Sequence, residues 1–171
     1  METALISVVC IAILLISTVT TMFTSFHAAT TISDSLKQWE TEDSNIRRTD
    51  IAATGSYSNG LITLWVKNAG QVNLADFPKW DVIAEWTGDG TTHLNYLTYA
   101  TSGPSDNEWI VQGIYLPDQT TPEVFDPNIL NPQEVMNITL KLSPDMSTNT
   151  TARFTISTPD GITSQCLITL N

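Results

Sequence analysis

The stretch "YSNGLITLWVKN", Tyr57 to Asn68, decides the fold. Asn59-Gly60 tolerates positive φ at both positions, which a tight hairpin turn requires. Behind the turn the chain alternates. Ile62, Leu64 and Val66 share one face, while Thr63, Trp65 and Lys67 share the other. An apolar residue at every second position marks a half-buried strand whose apolar side meets a core.

The same pattern repeats downstream. "WDVIAEW" and "HLNYLTYA" flank the turn "TGDGT", and "EWIVQGIYL" reads as a further strand. "EVMNITLKL" alternates, with Met136, Ile138, Leu140 and Leu142 inward and Asn137, Thr139 and Lys141 outward. "ARFTIST", "TPDG" and "ITSQCLITL" form a closing hairpin. Seven or eight short strands without a second convincing helix predict an antiparallel β-sandwich of immunoglobulin-like type over residues 50–171. "LPDQTTPEVFDPNILNPQ", Leu116 to Gln133, spaces four prolines between two strands. Proline breaks the ladder, so this is an irregular connection, either a plain crossover or a loop that carries recognition.

Upstream of Ile51 the character is different. No charge occurs from Thr3 to Phe26. As a helix these residues would measure ~36 Å, more than the ~30 Å hydrocarbon core of a bilayer. A cleavable signal peptide has a basic leader, a shorter apolar core and small residues at the cut. Here only Ala28 and Ala29 match, and no Lys or Arg precedes the run. The expectation is an uncleaved transmembrane helix over residues 1–27. A polar stalk follows over residues 28–49. Ile32, Leu36 and Trp39 keep helical spacing there, and the helix is expected to end before Asn45.

Orientation rests on two opposing signals. Lys37, Arg47 and Arg48 follow the apolar run, but long domains translocate largely regardless of charge. The sequons Asn137-Ile-Thr and Asn149-Thr-Thr are candidate N-glycosylation sites and suit an exported domain. The sandwich is therefore expected outside the membrane. Beyond Phe26 lie all seven basic residues and every acidic residue except Glu2, a net charge of −10. Such a domain repels nucleic acid and anionic lipid. A solvated acidic surface accounts for the charge; a partner or a cation layer that binds carboxylates is the alternative.

Residues that carry chemistry are scarce. The only histidines are His27, at the edge of the apolar run, and His93, expected at the surface. No Cys-x-x-Cys, His-Glu-x-x-His, Gly-x-Ser-x-Gly or phosphate-loop pattern occurs. Asp106 with Glu108, or Asp118 with Glu123, lack the calcium-loop pattern. No catalytic residue, metal site or cofactor is expected. Cys10 and Cys166 make no disulfide framework and read as small buried hydrophobes. Among the aromatics, Trp80, Trp86, Trp109, Tyr96, Tyr99 and Tyr115 suit a core and cross-strand pairs. Trp65 shares a face with Thr63 and Lys67, and is a candidate partner-binding side chain.

One helix feature stands out. Positions 3, 7, 10, 14, 17, 21, 24, 28, 31 and 35 follow alternating steps of four and three, and all but Leu14 are small. In lipid, small residues let helices approach, and hydroxyls can bond across the contact. Ser7, Cys10, Ser17, Thr21 and Thr24 are thus candidate helix-association residues. A solitary anchor would instead bond its hydroxyls to its own carbonyls.

The layout and three motifs resemble the archaellin-like proteins, the subunits and accessory components of the archaeal swimming filament. "RRTDIAATGSYSNGLITLWVKNAGQVNL" is similar to the family's first hairpin, with Val66, Asn68 and Gly70 as its "V-x-N-x-G" strand end. "ILNPQEVMNITLKL" and "ISTPDGI" are similar to its later turns. The accessory proteins of the F and G type match best. That resemblance implies a non-enzymatic, membrane-anchored stator part of the archaellum motor, touching a sister subunit or the surface layer, with homo-oligomers among the options. Filament subunits carry a basic leader with glycine before a cleavage site, which "METALIS" lacks. The alternatives are an archaellin- or pilin-like filament subunit and an anchored sandwich that binds glycans or proteins.

Overall fold

A computed structural model describes the backbone of residues 2–171, with side chains from Ile6 onward. The chain divides into two units, residues 1–44 and 45–171. One helix, α1, spans Glu2–Arg48. At ~1.5 Å per residue it would measure about 70 Å, more than twice a hydrocarbon core. Every described side chain of α1 is exposed. The helix therefore has a long apolar surface with no partner inside its own unit.

Eight strands follow: β1 Ile51–Ser58, β2 Leu61–Asn68, β3 Asp81–Gly88, β4 Thr91–Tyr99, β5 Glu108–Tyr115, β6 Val135–Lys141, β7 Thr150–Ser157 and β8 Thr163–Leu170. They form two antiparallel layers, β1-β2-β6-β5 and β4-β3-β7-β8. A short parallel contact joins the layers, Thr98 and Tyr99 of β4 beside Glu108 and Trp109 of β5. On the opposite side β1 and β8 approach, and the Ala53 amide donates to Ser164 Oγ at 3.0 Å. Gly55 makes that approach possible, since a Cβ there would lie 2.7 Å from Ile168 and from Leu64. The result is a nearly closed sandwich.

The core follows the alternation of the strands. Leu64, Val66, Val82, Ala84, Leu97, Ile138, Leu140, Ala152, Phe154 and Ile156 are fully buried, with Trp80, Trp86 and Trp109 among them. The turns use the residues the sequence supplies: Asn59 and Gly60 have φ 52° and 79°, and Asp89 and Gly90 have 51° and 74°. Two expectations need correction. The helix runs past Asn45 to Arg48, and Thr139 is buried although its neighbours' alternation put it outside. β6 lies between β2 and β5; a central strand is covered on both faces more readily than an edge strand.

The helix end persists because one residue just beyond it and one from a later loop satisfy its carbonyls. Thr49 Oγ1 donates to Asn45 O at 2.8 Å, and the Gln71 amide donates to Arg48 O at 2.8 Å. The amides of Ala69 and Gly70 both donate to Asp50 O. Position 70 admits no side chain, because a Cβ would stand 2.5 Å from Arg48 O and 2.6 Å from Asp50 N.

Candidate functional site

Asn68 holds this junction together. It is fully buried at the end of β2. Its Nδ2 donates to Val72 O and Leu130 O at 2.8 and 2.9 Å, and its Oδ1 accepts from the Gly70 amide at 3.0 Å. Its backbone amide donates to Glu134 O, and its carbonyl accepts from Gln133. A buried polar side chain is tolerated when satisfied in this way. The "V-x-N-x-G" strand end is thus a structural knot, joining the start of the sandwich to the turn before β6. In that turn the buried Glu134 carboxylate accepts from the Asn131 amide at 2.8 Å.

The helix-association candidates Ser7, Cys10, Ser17, Thr21 and Thr24 all lie on α1. The described threonines of the apolar run bond backward along their own helix. Thr21 Oγ1 donates to Ser17 O at 2.7 Å, and Thr24 Oγ1 donates to Thr20 O and Thr21 O at 3.0 Å. That is the arrangement a solitary helix adopts, and it leaves the hydroxyl oxygens with accepting capacity. A shallow groove on the helix is lined by Ser17, Thr21, Ser25, Ala29 and Ser33, with Met22 and Phe26 beside them. Those small residues recur at steps of four. The alternating stripe misses Ser25, Ala29 and Ser33, although the constant spacing was present in the sequence. Cys10 is exposed on its helix, so the burial expected of it must come from lipid or another chain.

Trp65 does not stand free. It is half-buried, and its ring meets Tyr115 edge-on at 5.5 Å. The two rings meet across β6, since Trp65 lies beside Asn137 and Asn137 beside Gly113. A Cβ on Gly113 would touch the Tyr115 ring at 3.5 Å, so tyrosine covers the space that glycine leaves. Beneath them Asn137 Oδ1 is buried without a hydrogen-bond partner. Of the two sequons, Asn149 sits exposed in the turn before β7, with φ 59°. Asn137 lies mid-strand and half-buried.

The loop from Leu116 to Gln133 presents the most exposed apolar side chains of the sandwich, Val124 at 73% and Phe125 at 87%. Its irregular path is nonetheless tied down. The Glu123 amide donates to Ile114 O, and the Glu123 carboxylate accepts from the Phe125 amide at 2.6 Å. That amide holds the Glu123 carboxyl below its ordinary range. Asp118 accepts from the Thr121 hydroxyl at 2.6 Å and from the Thr121 and Thr120 amides at 2.9 and 3.0 Å. These bonds lower its pKa to about 2. Phe125 thus sits on a braced loop.

His93 is more ordered than an ordinary surface residue. It is half-buried and stacks on Trp86 at 5.2 Å, with Nε2 2.9 Å from Thr91 Oγ1. Its Nε2 also lies 3.2 Å from Gly88 O, so the ring braces the β3–β4 hairpin. Among the described residues no group of three His, Cys, Asp or Glu could hold a metal ion. Cys166 is buried in β8, and burial pushes its thiol up to about 11.

Comparison with known proteins completes the picture. No curated protein matches the chain significantly. Among solved structures, the chain is similar to the archaellum periplasmic stator protein FlaG from Sulfolobus acidocaldarius, at 23% identity and TM-score 0.50, over 70% of this chain and 98% of that one. It is also similar to the FlaF and FlaG stator complex of the same organism, at 22% identity and TM-score 0.49, over 68% of this chain and 86% of that one. The archaeal flagellum of Methanospirillum hungatei strain JF1 matches at 16% identity and TM-score 0.49, over 96% of this chain and 91% of that one. The first of these shows a shared fold. The family model for archaeal-type flagellin matches residues 4–166, taking in both helix and sandwich, and the chain belongs to that family.

Proposed function

We propose that this protein is a non-enzymatic, membrane-anchored stator component of an archaellum, with its sandwich outside the membrane. The observation that carries the proposal is the pairing of two regions within one family match. The helix is long and apolar enough to cross a membrane, and the sandwich shares its fold with a periplasmic stator protein. The helix would hold the chain in the bilayer through residues 1–27. A polar stalk over residues 28–49 would carry the sandwich clear of it. There the Phe125 loop offers a contact for a sister subunit or a surface-layer protein. The sandwich's buried knots and braced turns suit bearing load, and its acidic surface supports solubility rather than catalysis. Asn149 is the better-placed glycan acceptor, because transfer needs an exposed loop.

A filament-subunit role is the second reading, favoured by the run of small residues along α1, which suits close helix packing. The two separate on shearing. Filaments mechanically removed from cells should leave a stator component in the membrane fraction, detected with an antibody to the sandwich. Recovery of most of the chain in the sheared filaments would overturn the stator reading and support the other.

A further inference from the structure

The outer face of the second sheet carries a row of side chains that is complementary to itself. Strand register sets Leu94, Glu85, Arg153 and Leu167 side by side across β4, β3, β7 and β8. All four point outward, because Ala84, Trp86, Ala152, Phe154, Cys166 and Ile168 on the same strands point into the core. Leu94 and Leu167 are 69% and 66% exposed. Between them Arg153 Nη1 lies 3.2 Å from Glu85 Oε2. Ile83 and Tyr96, in the next row, extend the apolar border. Arg153 is the only base that the described strands of this sheet turn outward, and Asp81 and Glu85 are the only acids. In a strongly acidic domain this face is close to neutral, so two copies can approach through it with little repulsion.

We propose that this face is a contact between two copies of the chain, related by a twofold axis running along the strands between β3 and β7. An isologous contact must match a surface to itself. This axis does so. It lays Leu94 of one copy over Leu167 of the other and Glu85 over Arg153, and it sets Asp81 over Ser157. The other in-plane axis, across the strands, would stack Glu85 on Glu85 and Arg153 on Arg153. Like charges brought together in this way oppose association. Facing sheets align to within about 30°, so the match is best in the central row. Four strands at ~4.8 Å spacing give a face about 15 Å wide and 25 Å long. Such a footprint is below the ~800 Å² per partner of a standard interface. The contact is therefore weak in dilute solution and is favoured where a shared tether raises effective concentration. This inference stands independently of the stator proposal.

Thiol crosslinking tests it. The full-length chain carries Cys10→Ser and Cys166→Ala, and is placed in lipid vesicles. Leu94→Cys and Leu167→Cys chains, with different tags, are treated with a short bismaleimide separately and together. Facing sheets lie ~10 Å apart, beyond the ~7 Å Cα limit for a disulfide but within reach of the linker. Each chain carries one cysteine, so every covalent dimer joins two copies. The mixture should form dimers several-fold faster than either chain alone. Adding Arg153→Glu to both chains should reduce the yield about tenfold, and Glu85→Arg with Arg153→Glu should restore it. Circular dichroism and thermal unfolding check that each variant is folded. Equal yields in mixed and separate reactions, a preference for like with like, or indifference to charge reversal in folded chains would overturn the proposal.

Discussion

The two regions of this molecule reach order by opposite routes. The sandwich closes on itself, burying Phe154, Trp86, Trp109 and the aliphatic residues around them. The helix buries none of its described side chains, so its surroundings must supply what its sequence needs. A strand cannot satisfy its backbone alone and must find neighbours, which drives the chain to fold. A helix satisfies its backbone internally, leaving its side chains free for lipid or another helix. Division of labour follows: one region is a folded body, the other a helix whose apolar surface must be covered from outside itself.

The largest expected effect breaks this contrast if it fails. Phe154→Ala opens a cavity in the sandwich and should cost about 3–5 kcal/mol in thermal or denaturant unfolding. Phe23→Ala, an equal deletion on α1, should leave sandwich unfolding unchanged. Asn68→Ala comes next. It removes three side-chain bonds and leaves the Val72 carbonyl without its asparagine donor, while Leu130 O keeps the Leu74 amide and the Gly70 amide keeps Asp50 O. A loss of about 1–3 kcal/mol is expected from the buried group left unsatisfied and the bonds removed. Proteolysis near Arg48 and Gln71 should rise with it.

Much of this was legible in the sequence, because the signals are local. Alternation in Leu61–Asn68 gives the buried face, Asn59-Gly60 gives the turn, and an uncharged run gives the helix. Other features depend on residues far apart in the chain. Trp65 looks exposed until Tyr115 is known to reach it across β6. The helix appears to end early until Gln71 is seen to capture Arg48. Asn68 was visible as part of a motif, but its burial was not, since its partners Val72 and Leu130 belong to separate loops. Pairing of β2 with β6 links segments more than sixty residues apart, and no local pattern specifies that neighbour.

Smaller effects sharpen the helix side of the comparison. Ser17→Leu with Thr21→Leu keeps the helix apolar, so insertion should survive, while close approach of a second helix is lost. Crosslinking through Cys10 should fall by an amount consistent with ~0.6 kcal/mol per lost interhelical hydrogen bond. Ile13→Ala with Leu15→Ala should change it little. Equal behaviour of the two pairs would make the helix a simple anchor. The smallest effect belongs to the Phe125 loop. Asp118 has a folded pKa of about 2, below its ordinary 3.8. Its bracing is therefore fully present above pH 3.8 and is lost as pH falls through about 2. Pepsin cleavage between Leu116 and Phe125 should rise across that window, and Asp118→Ala should raise it at every pH in the window and flatten the dependence.

The division between anchored helix and external sandwich is tested most directly by labelling intact cells. A chain with Cys10→Ser and Phe125→Cys presents one reactive thiol, because burial keeps Cys166 largely protonated, with a pKa near 11. A membrane-impermeant maleimide should label position 125 on unbroken cells, and the labelled chain should remain in the membrane pellet after alkaline carbonate extraction. Labelling only after lysis, or release of the labelled chain by carbonate, would contradict the account.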